Sequence, residues 1–498
     1  MDFDILISNG TVIDGTGQQG YQANVGVKYG KIEAIGELEN ATAAQVIDAT
    51  NMVVAPGFID AHTHVHVNID KGIFHEDNLV RQGLTTVVGG NCGKSGWPVA
   101  EHFDKVDRHG MKQNYMMLIG HNTLRRELFG DDQAQFLDPW QLKDLQKLVV
   151  RGMEEGAFGV TAGYMSHYAI NDELFAFAQP AGEMDGLYAS HIRSEGKHLL
   201  QAIAEIIELA QHADIRIEIS HLKTMDPPNW NKLDAVFELM EGALDRGVIL
   251  RADRYTYCAW AGGSTNALPR VVYQIKQERG SWDNLYDPDV KEIIYEETAK
   301  MWDERGGPET ILFCSMGEPQ PEVENKTPAQ LAEQWECDLV EVGIRVEKMG
   351  KISAIGLAMS EDNIKRILAH PLVCVGSDSH QEADKSVFTH PRSYGTFPRM
   401  LAKYCREQQV VTLPEAVHKM TGLAAEHFHL TDRGLLEEGL IADVVVFDPA
   451  TVQDTATFSE PHQYPEGIPH VIVNGKFAVK DGKTTADNHG RAIRKTDM

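Results

Sequence analysis

Short apolar runs recur between helix-length amphipathic stretches through the middle of the chain, and such alternation commits a chain to βα units around a parallel sheet. Eight runs read as strands: GFIDAHTH (57–64), LTTVVGGN (84–91), YMMLIG (115–120), AFGVTA (157–162), LYASH (187–191), IRIEISH (215–221), VILRADRY (248–255) and VCVGSD (373–378). Stretches 139–156 and 195–213 carry apolar residues at spacings of three and four, as helices covering such a sheet require. Eight strands alternating with helices predict an α/β fold of the TIM-type (β/α)8 barrel class. The interval between the seventh and eighth strands is about three times too long for one connection. Its centre, about 282–357, has helical patterning of its own and is expected to form an inserted lid subdomain.

The two ends of the chain have a different texture. Residues 1–55 and 430–484 alternate apolar and polar positions between turn signals, including Asn474-Gly475, and predict one small β-sandwich built from both termini. That leaves 56–429 for the barrel and a polar tail over 485–498. Acidic residues number 73 against 46 basic ones, and the resulting net charge of −27 repels polyanions and anionic membranes. Neither a nucleic acid nor a membrane is expected as a partner. The 6 cysteines form no CxxC pair, which argues against a zinc ribbon or a disulfide-stapled scaffold and fits a reducing cytoplasm. No basic-then-apolar leader opens the sequence, and no run of about 18 apolar residues follows, so neither export nor membrane insertion is expected.

In a parallel barrel the working residues stand at the C-terminal ends of the strands. Strand one ends in His62 and His64, Cys92 follows strand two, His191 and His221 end strands five and six, and Asp378 ends strand eight. His62 and His64 share one face of a strand, a spacing suited to one metal ion. Taken singly, an HxH pair, a buried cysteine or a histidine held by hydrogen bonds is an ordinary structural feature, and Asp378 could be a turn residue. Together they form a nitrogen, sulfur and oxygen set suited to one or two zinc ions. Cys92 could bridge a pair, and Asp378 could touch the metal and accept a proton from the attacking water. His66 shares the parity of the pair but lies beyond the strand end and stays unassigned.

HTH after PGFID, GNCG, HIRSEG (191–196), ISHLK (219–223), RYTY followed by GGST, VGSD and HPRSYGTFPR (390–399) together resemble the amidohydrolase superfamily. Within it, GNCG, HIRSEG and HPRSYGTFPR resemble the D-aminoacylases, the N-acyl-D-amino-acid deacylases, over nearly the whole chain. The resemblance implies a tight zinc site at Cys92, His191 and His221, and a weaker one reached by His62, His64, Cys92 and Asp378. It also implies substrate contacts from Lys223, Tyr257, Ser264 and Arg392: an arginine fork and a hydroxyl for the α-carboxylate, and a tyrosine hydroxyl for the developing oxyanion. Arg193 is expected to orient the strand-five loop. Arg270 stands where relatives acting on neutral side chains prefer apolar residues; it either reads an acidic side chain from within the pocket or stands on the outer face of the lid. His380 replaces the more usual glycine after the Ser-Asp pair.

The implied reaction is hydrolysis of the amide of an N-acyl-D-amino acid, with Asp378 as general base and acid and Tyr257 steadying the oxyanion. Two other readings stand beside it. One is a cyclic-amide hydrolase of the hydantoinase or dihydroorotase kind, disfavoured because strand four lacks the lysine that such enzymes carboxylate. The other is a non-catalytic binding protein on the same barrel, disfavoured by the full set of metal-binding residue types.

Overall fold

The computed structural model describes residues 2–38, 40–74, 77–130, 136–163, 171–262, 266–315, 320–350, 352–380 and 389–498. Parallel strands run Phe58–Asp60, Leu84–Gly89, Asn114–Met117 continued by Ile119–Gly120, Gly159–Ala162, Leu187–Ser190, Arg216–Ile219, Leu250–Arg254 and Val373–Val375. Consecutive members pair in that order. The third and fourth are also joined where Phe158 N donates to Met117 O at 3.0 Å. The ring closes between first and eighth: Ala61 N donates to Val375 O at 3.4 Å, Asp378 N to His62 O at 2.8 Å and His64 N to Ser379 O at 2.7 Å. The result is an α/β barrel whose strands are numbered one to eight below.

The strands read as near-continuous apolar runs because both faces are covered. Tyr188, Ile217, Ile219 and Ala252 pack outward against helix residues such as Ile203 and Val236, whereas Val88, Met116, Leu187, Ala189 and Cys374 cluster with Phe428 in the interior. The helix Pro139–Glu154 starts where Asp138 accepts hydrogen bonds from Trp140 N and Gln141 N, with proline in its first turn; this satisfies donors that a helix start otherwise leaves unpaired. Between strands seven and eight, an antiparallel sheet of Trp260–Gly262, Ile352–Gly356 and Ile311–Ser315 carries helices including Arg270–Arg279 and Pro288–Arg305. Its own core gathers Trp302, Phe313, Leu331 and Val342.

Strands from both ends of the chain pair into one nine-stranded sheet. Val53–Pro56 runs antiparallel to Val444–Phe447, with Val54 opposite Val446, immediately before the first barrel strand. The Asn474-Gly475 turn has left-handed φ values of 51° and 76°, as a two-residue hairpin requires. The last residues lie along barrel strand three, where Ile493 N donates to Tyr115 O at 2.8 Å. Among the described residues, no helix is long and apolar enough to cross a membrane.

One buried polar knot fastens this sheet to the barrel. Asp443 meets Arg433 Nη1 at 2.6 Å and accepts from Asn114 Nδ2 at 3.0 Å and Asn474 N at 2.7 Å. Arg433 also donates to Asp432 from Nε at 2.9 Å and Nη2 at 3.1 Å, so removing the Asp443 carboxylate leaves the guanidinium paired but takes the acceptor from Nη1, Asn114 and Asn474 N. Asp443→Ala is therefore expected to lower stability by about 1–3 kcal/mol, the cost of leaving buried donors without an acceptor, read from urea unfolding against the wild type.

Candidate metal centre

The strand ends deliver their side chains by leaving the ladder. Cys92, His221 and Asp378 all adopt left-handed backbone, with φ of 53°, 39° and 54°. Non-glycine residues rarely sit there, and such conformations persist where the surrounding structure over-determines them. Here each turn redirects a side chain from along the barrel wall to its axis. The Cys92 turn also needs room: a Cβ at Gly163 would lie 1.9 Å from Cys92 O, and one at Gly120 would lie 2.5 Å from Gly93 O. Glycine at the ends of strands three and four is what lets the thiol reach the centre.

Cys92 Sγ lies 3.4 Å from His62 Nε2, 3.7 Å from His191 Nδ1 and 3.5 Å from His221 Nε2. The donor atoms form two overlapping groups that share the sulfur, His62/His64/Cys92 and Cys92/His191/His221, each with all atoms within 4.8 Å of one another. Asp378 Oδ1 lies 3.0 Å from His64 Nε2 and 3.7 Å from His62 Nε2, while its Oδ2 meets Arg392 Nη1 at 2.7 Å. All six residues expected from the sequence thus converge on one spot.

The electrostatics suit a cation. Burial would raise the Cys92 thiol, yet the charges of His62 and His221 and the hydrogen bonds from His191 and His221 pull it well below its ordinary value. Burial opposes a charged His62, and the negative charges of Asp253 and Cys92 override it and raise its pKa well above the usual range. Burial likewise opposes charge on Asp378, and Arg392 and His64 hold its carboxyl well below the carboxylate range. A thiolate and a carboxylate facing protonated imidazoles is the arrangement a divalent cation replaces, displacing the protons. One thiolate with imidazoles selects a borderline-soft ion such as zinc over magnesium or calcium.

Two acids that the sequence reading passed over hold the imidazoles. Asp253, at the end of strand seven, accepts from His62 Nδ1 at 3.1 Å. Glu195 Oε1 lies 2.9 Å from His221 Nδ1. Each fixes a ring so that the opposite nitrogen, Nε2, faces the sulfur. The signal was present in the HIRSEG segment and in the acid of the RADRY strand end.

The expected substrate residues are placed unevenly. Lys223 Nζ is bonded to Glu195 and lies 2.8 Å from His221 Nδ1. Arg392 sits on Asp378 and also lies over the Tyr255 ring, 4.9 Å from its centroid. The Tyr257 hydroxyl donates to Asp454 Oδ2 at 3.3 Å, with Arg399 over its ring. Arg270 opens the helix Arg270–Arg279 and is exposed rather than buried. Ser264 lies outside the described residues. Arg193 pairs with Glu205 at 2.6 Å. His66 Nδ1 accepts from Gly90 N at 3.1 Å, and the His380 ring stacks on His64 at 5.2 Å.

A closed parallel barrel whose strand ends gather a thiolate, imidazoles and a carboxylate defines the class of metal-dependent hydrolase barrels. The profile of the Amidohydrolase family matches residues 45–479. A D-aminoacylase of Alcaligenes xylosoxydans xylosoxydans is 32% identical, covering 99% of this chain and 98% of that protein. An N-acyl-D-glutamate deacylase of the same organism is 33% identical over 99% of this chain and 96% of its own length. The crystal structure of an N-acyl-D-glutamate deacylase from Bordetella bronchiseptica, complexed with zinc and a phosphonate mimic of the tetrahedral intermediate, superposes with a TM-score of 0.84 at 30% identity, covering 99% of this chain and 100% of that one. The chain belongs to the amidohydrolase family, in its D-aminoacylase branch.

Cys92→Ala removes the atom common to both donor groups and is expected to abolish tight metal binding, measured by elemental analysis after dialysis. Glu195→Gln, which loosens the hold on His221 and takes the counter-charge from Lys223, is expected to weaken metal affinity about 10–100-fold. If Cys92→Ala retains a full complement of metal, the site lies elsewhere.

Proposed function

We propose that this protein is a zinc-dependent N-acyl-D-amino-acid deacylase, releasing a carboxylate and a free D-amino acid. The observation that carries the reading is the convergence of a thiolate, imidazoles and an ionised Asp378 at the barrel mouth, in a chain related over its whole length to deacylases of this kind. Cys92, His191 and His221 would hold the tight ion, and His62, His64, Cys92 and Asp378 a weaker one. When bound, zinc lowers the pKa of its water toward about 7 and polarises the acyl carbonyl. Asp378 takes the proton of the attacking water and hands it to the leaving nitrogen. Arg392, whose Nη1 is ion-paired with Asp378 at 2.7 Å, carries further donors with the capacity to bind the α-carboxylate as well, assisted by Lys223 and Ser264. Tyr257 serves as oxyanion donor by exchanging its bond to Asp454 for one to the substrate.

Strand four, Gly159–Ala162, carries no lysine to carboxylate, which weighs against a hydantoinase-like activity. The domain reading follows the same frame: 1–55 with 430–484 as the β-sandwich, 56–429 as the barrel, the insertion at about 282–357 as a lid, and 485–498 as a tail. All six cysteines are free, in keeping with a reducing cytoplasm.

Assays of metal-loaded protein on paired N-acetyl-D- and N-acetyl-L-amino acids are expected to give turnover with the D series alone; turnover restricted to the L series overturns the reading. Asp378→Asn is expected to lose about 10²–10⁴-fold in kcat, and Tyr257→Phe about 10²–10³-fold. For the side chain, Arg270 favours an acidic group. Because it is exposed, its attraction is worth about 1 kcal/mol, or roughly fivefold in kcat/KM, rather than the larger effect of a buried cation. The ratio of N-acetyl-D-glutamate to N-acetyl-D-leucine turnover should fall by about that factor in Arg270→Ala, and an unchanged ratio removes Arg270 from substrate selection.

A further inference from the structure

Arg392 opens the helix Arg392–Arg399, and the backbone N–H of a first helical residue has no partner within its own helix. The ring of His390, two residues earlier, supplies one: Arg392 N donates to His390 Nδ1 at 3.0 Å. The other ring nitrogen, Nε2, lies 3.1 Å from Ala259 O. A backbone N–H only donates and a carbonyl only accepts, so Nδ1 carries the lone pair and Nε2 the proton. Both nitrogens of a neutral ring are thereby used. Burial and the charge of Arg392 keep that ring neutral, holding its pKa well below the ordinary value.

Ala259 is the last residue before Trp260–Gly262, the strand with which the insertion begins. The insertion returns to the same place, where Met359 N donates to Cys258 O at 3.3 Å. His390 therefore joins the base of the insertion to the start of the Arg392 helix. Two more bonds run beside it: Thr256 Oγ1 donates to Thr396 O and Arg399 Nε to Thr256 O, both at 2.9 Å. Those hold the later part of the helix, whereas the His390 bonds act at Arg392 itself. The ring is 4% exposed and set edge-on between Tyr257, with centroids 5.4 Å apart, and Phe458, at 5.2 Å. From this fixed root the Arg392 guanidinium lies over the Tyr255 ring and 2.7 Å from Asp378 Oδ2.

We propose that His390 is a positioning residue for Arg392: it fixes the backbone from which the guanidinium reaches the α-carboxylate of the substrate, and so ties carboxylate binding to the base of the insertion. The inference rests on the reading of Arg392 as a carboxylate contact in a deacylase. A reacting partner displaced by about 1 Å can lose a large factor in rate or binding, and a helix start released from its anchor shifts on that scale.

The test is the ratio of kcat/KM on N-acetyl-D-leucine to that on N-acetyl-D-leucinamide, which lacks the carboxylate, measured with zinc-loaded protein. His390→Ala is expected to raise KM for the acid about tenfold with kcat within about threefold of wild type, to leave the amide unchanged within that margin, and so to lower the ratio about tenfold. Binding of the product D-leucine, read by calorimetry, is expected to weaken by the same factor, with zinc content equal to wild type. His390→Asn keeps an acceptor for Arg392 N but falls short of Ala259, and is expected to recover part of the ratio. A purely structural role would lower both substrates together, so acid and amide falling equally overturns the proposal, as does an unchanged ratio. If the alanine variant fails to fold, the asparagine variant decides, and a ratio in it equal to wild type overturns the proposal. Arg392→Lys with an undiminished ratio removes Arg392 from carboxylate binding and the proposal with it. Wild type that turns over no N-acetyl-D-amino acid strikes the deacylase reading itself, before any variant is compared.

Discussion

A single sulfur, surrounded by three imidazole nitrogens in a water-poor pocket, is the arrangement on which the rest of this site depends. A buried thiolate is costly unless positive charge or a cation meets it. His62, His191 and His221 lie within 3.7 Å of Cys92 from three different strands, so three imidazoles gather at the sulfur where no one strand could supply them. Reaching that point takes a left-handed turn at Cys92 and two glycines at neighbouring strand ends. Local backbone cost and glycine placement therefore serve one electrostatic end.

The cations at the mouth are coupled to this centre rather than waiting free beside it. Arg392 is paired with Asp378, and Lys223 with Glu195. A carboxylate approaching them meets groups already partly neutralised, so binding an anion there trades one partner for two. The chain's overall charge of −27 opposes an anionic ligand at a distance, but physiological salt confines that field to about 8 Å. What an anion meets at close range is decided by these paired cations.

Much of this was legible in the amino-acid sequence, because the periodicity of strands and helices is local. The eight runs correspond to the eight barrel strands, with ends shortened where residues such as His191 and His221 leave the ladder for the loops. Residue chemistry at those ends drew His62, His64, Cys92, His191, His221 and Asp378 into one list before any geometry was available. What escaped depends on contacts distant in the chain. The Tyr257 hydroxyl finds Asp454, 197 residues away, and no local pattern marks that pair. The antiparallel sheet of the insertion begins already at Trp260, ahead of the helical patterning that signalled an insertion, because a three-residue strand leaves almost no periodicity to read. Asp253 carries no mark in the strand pattern that points to His62, since alternation tells which face a residue takes but not what waits there.

The seam of the barrel lies at the same place as its chemistry. Strands one and eight are laced by His62, His64, Asp378 and Ser379, and His64 and Asp378 are 314 residues apart. Contacts of such long range form late, once the intervening chain has been ordered, because closing so large a loop costs entropy that nearer contacts must offset first. The candidate metal centre thus draws on both edges of the barrel seam. Strands one to six already carry the thiol and all four imidazoles, and the Asp378 carboxylate comes only with strand eight, so the set is complete when the two edges of the ring meet. Completeness of the molecule and competence of the site are the same event.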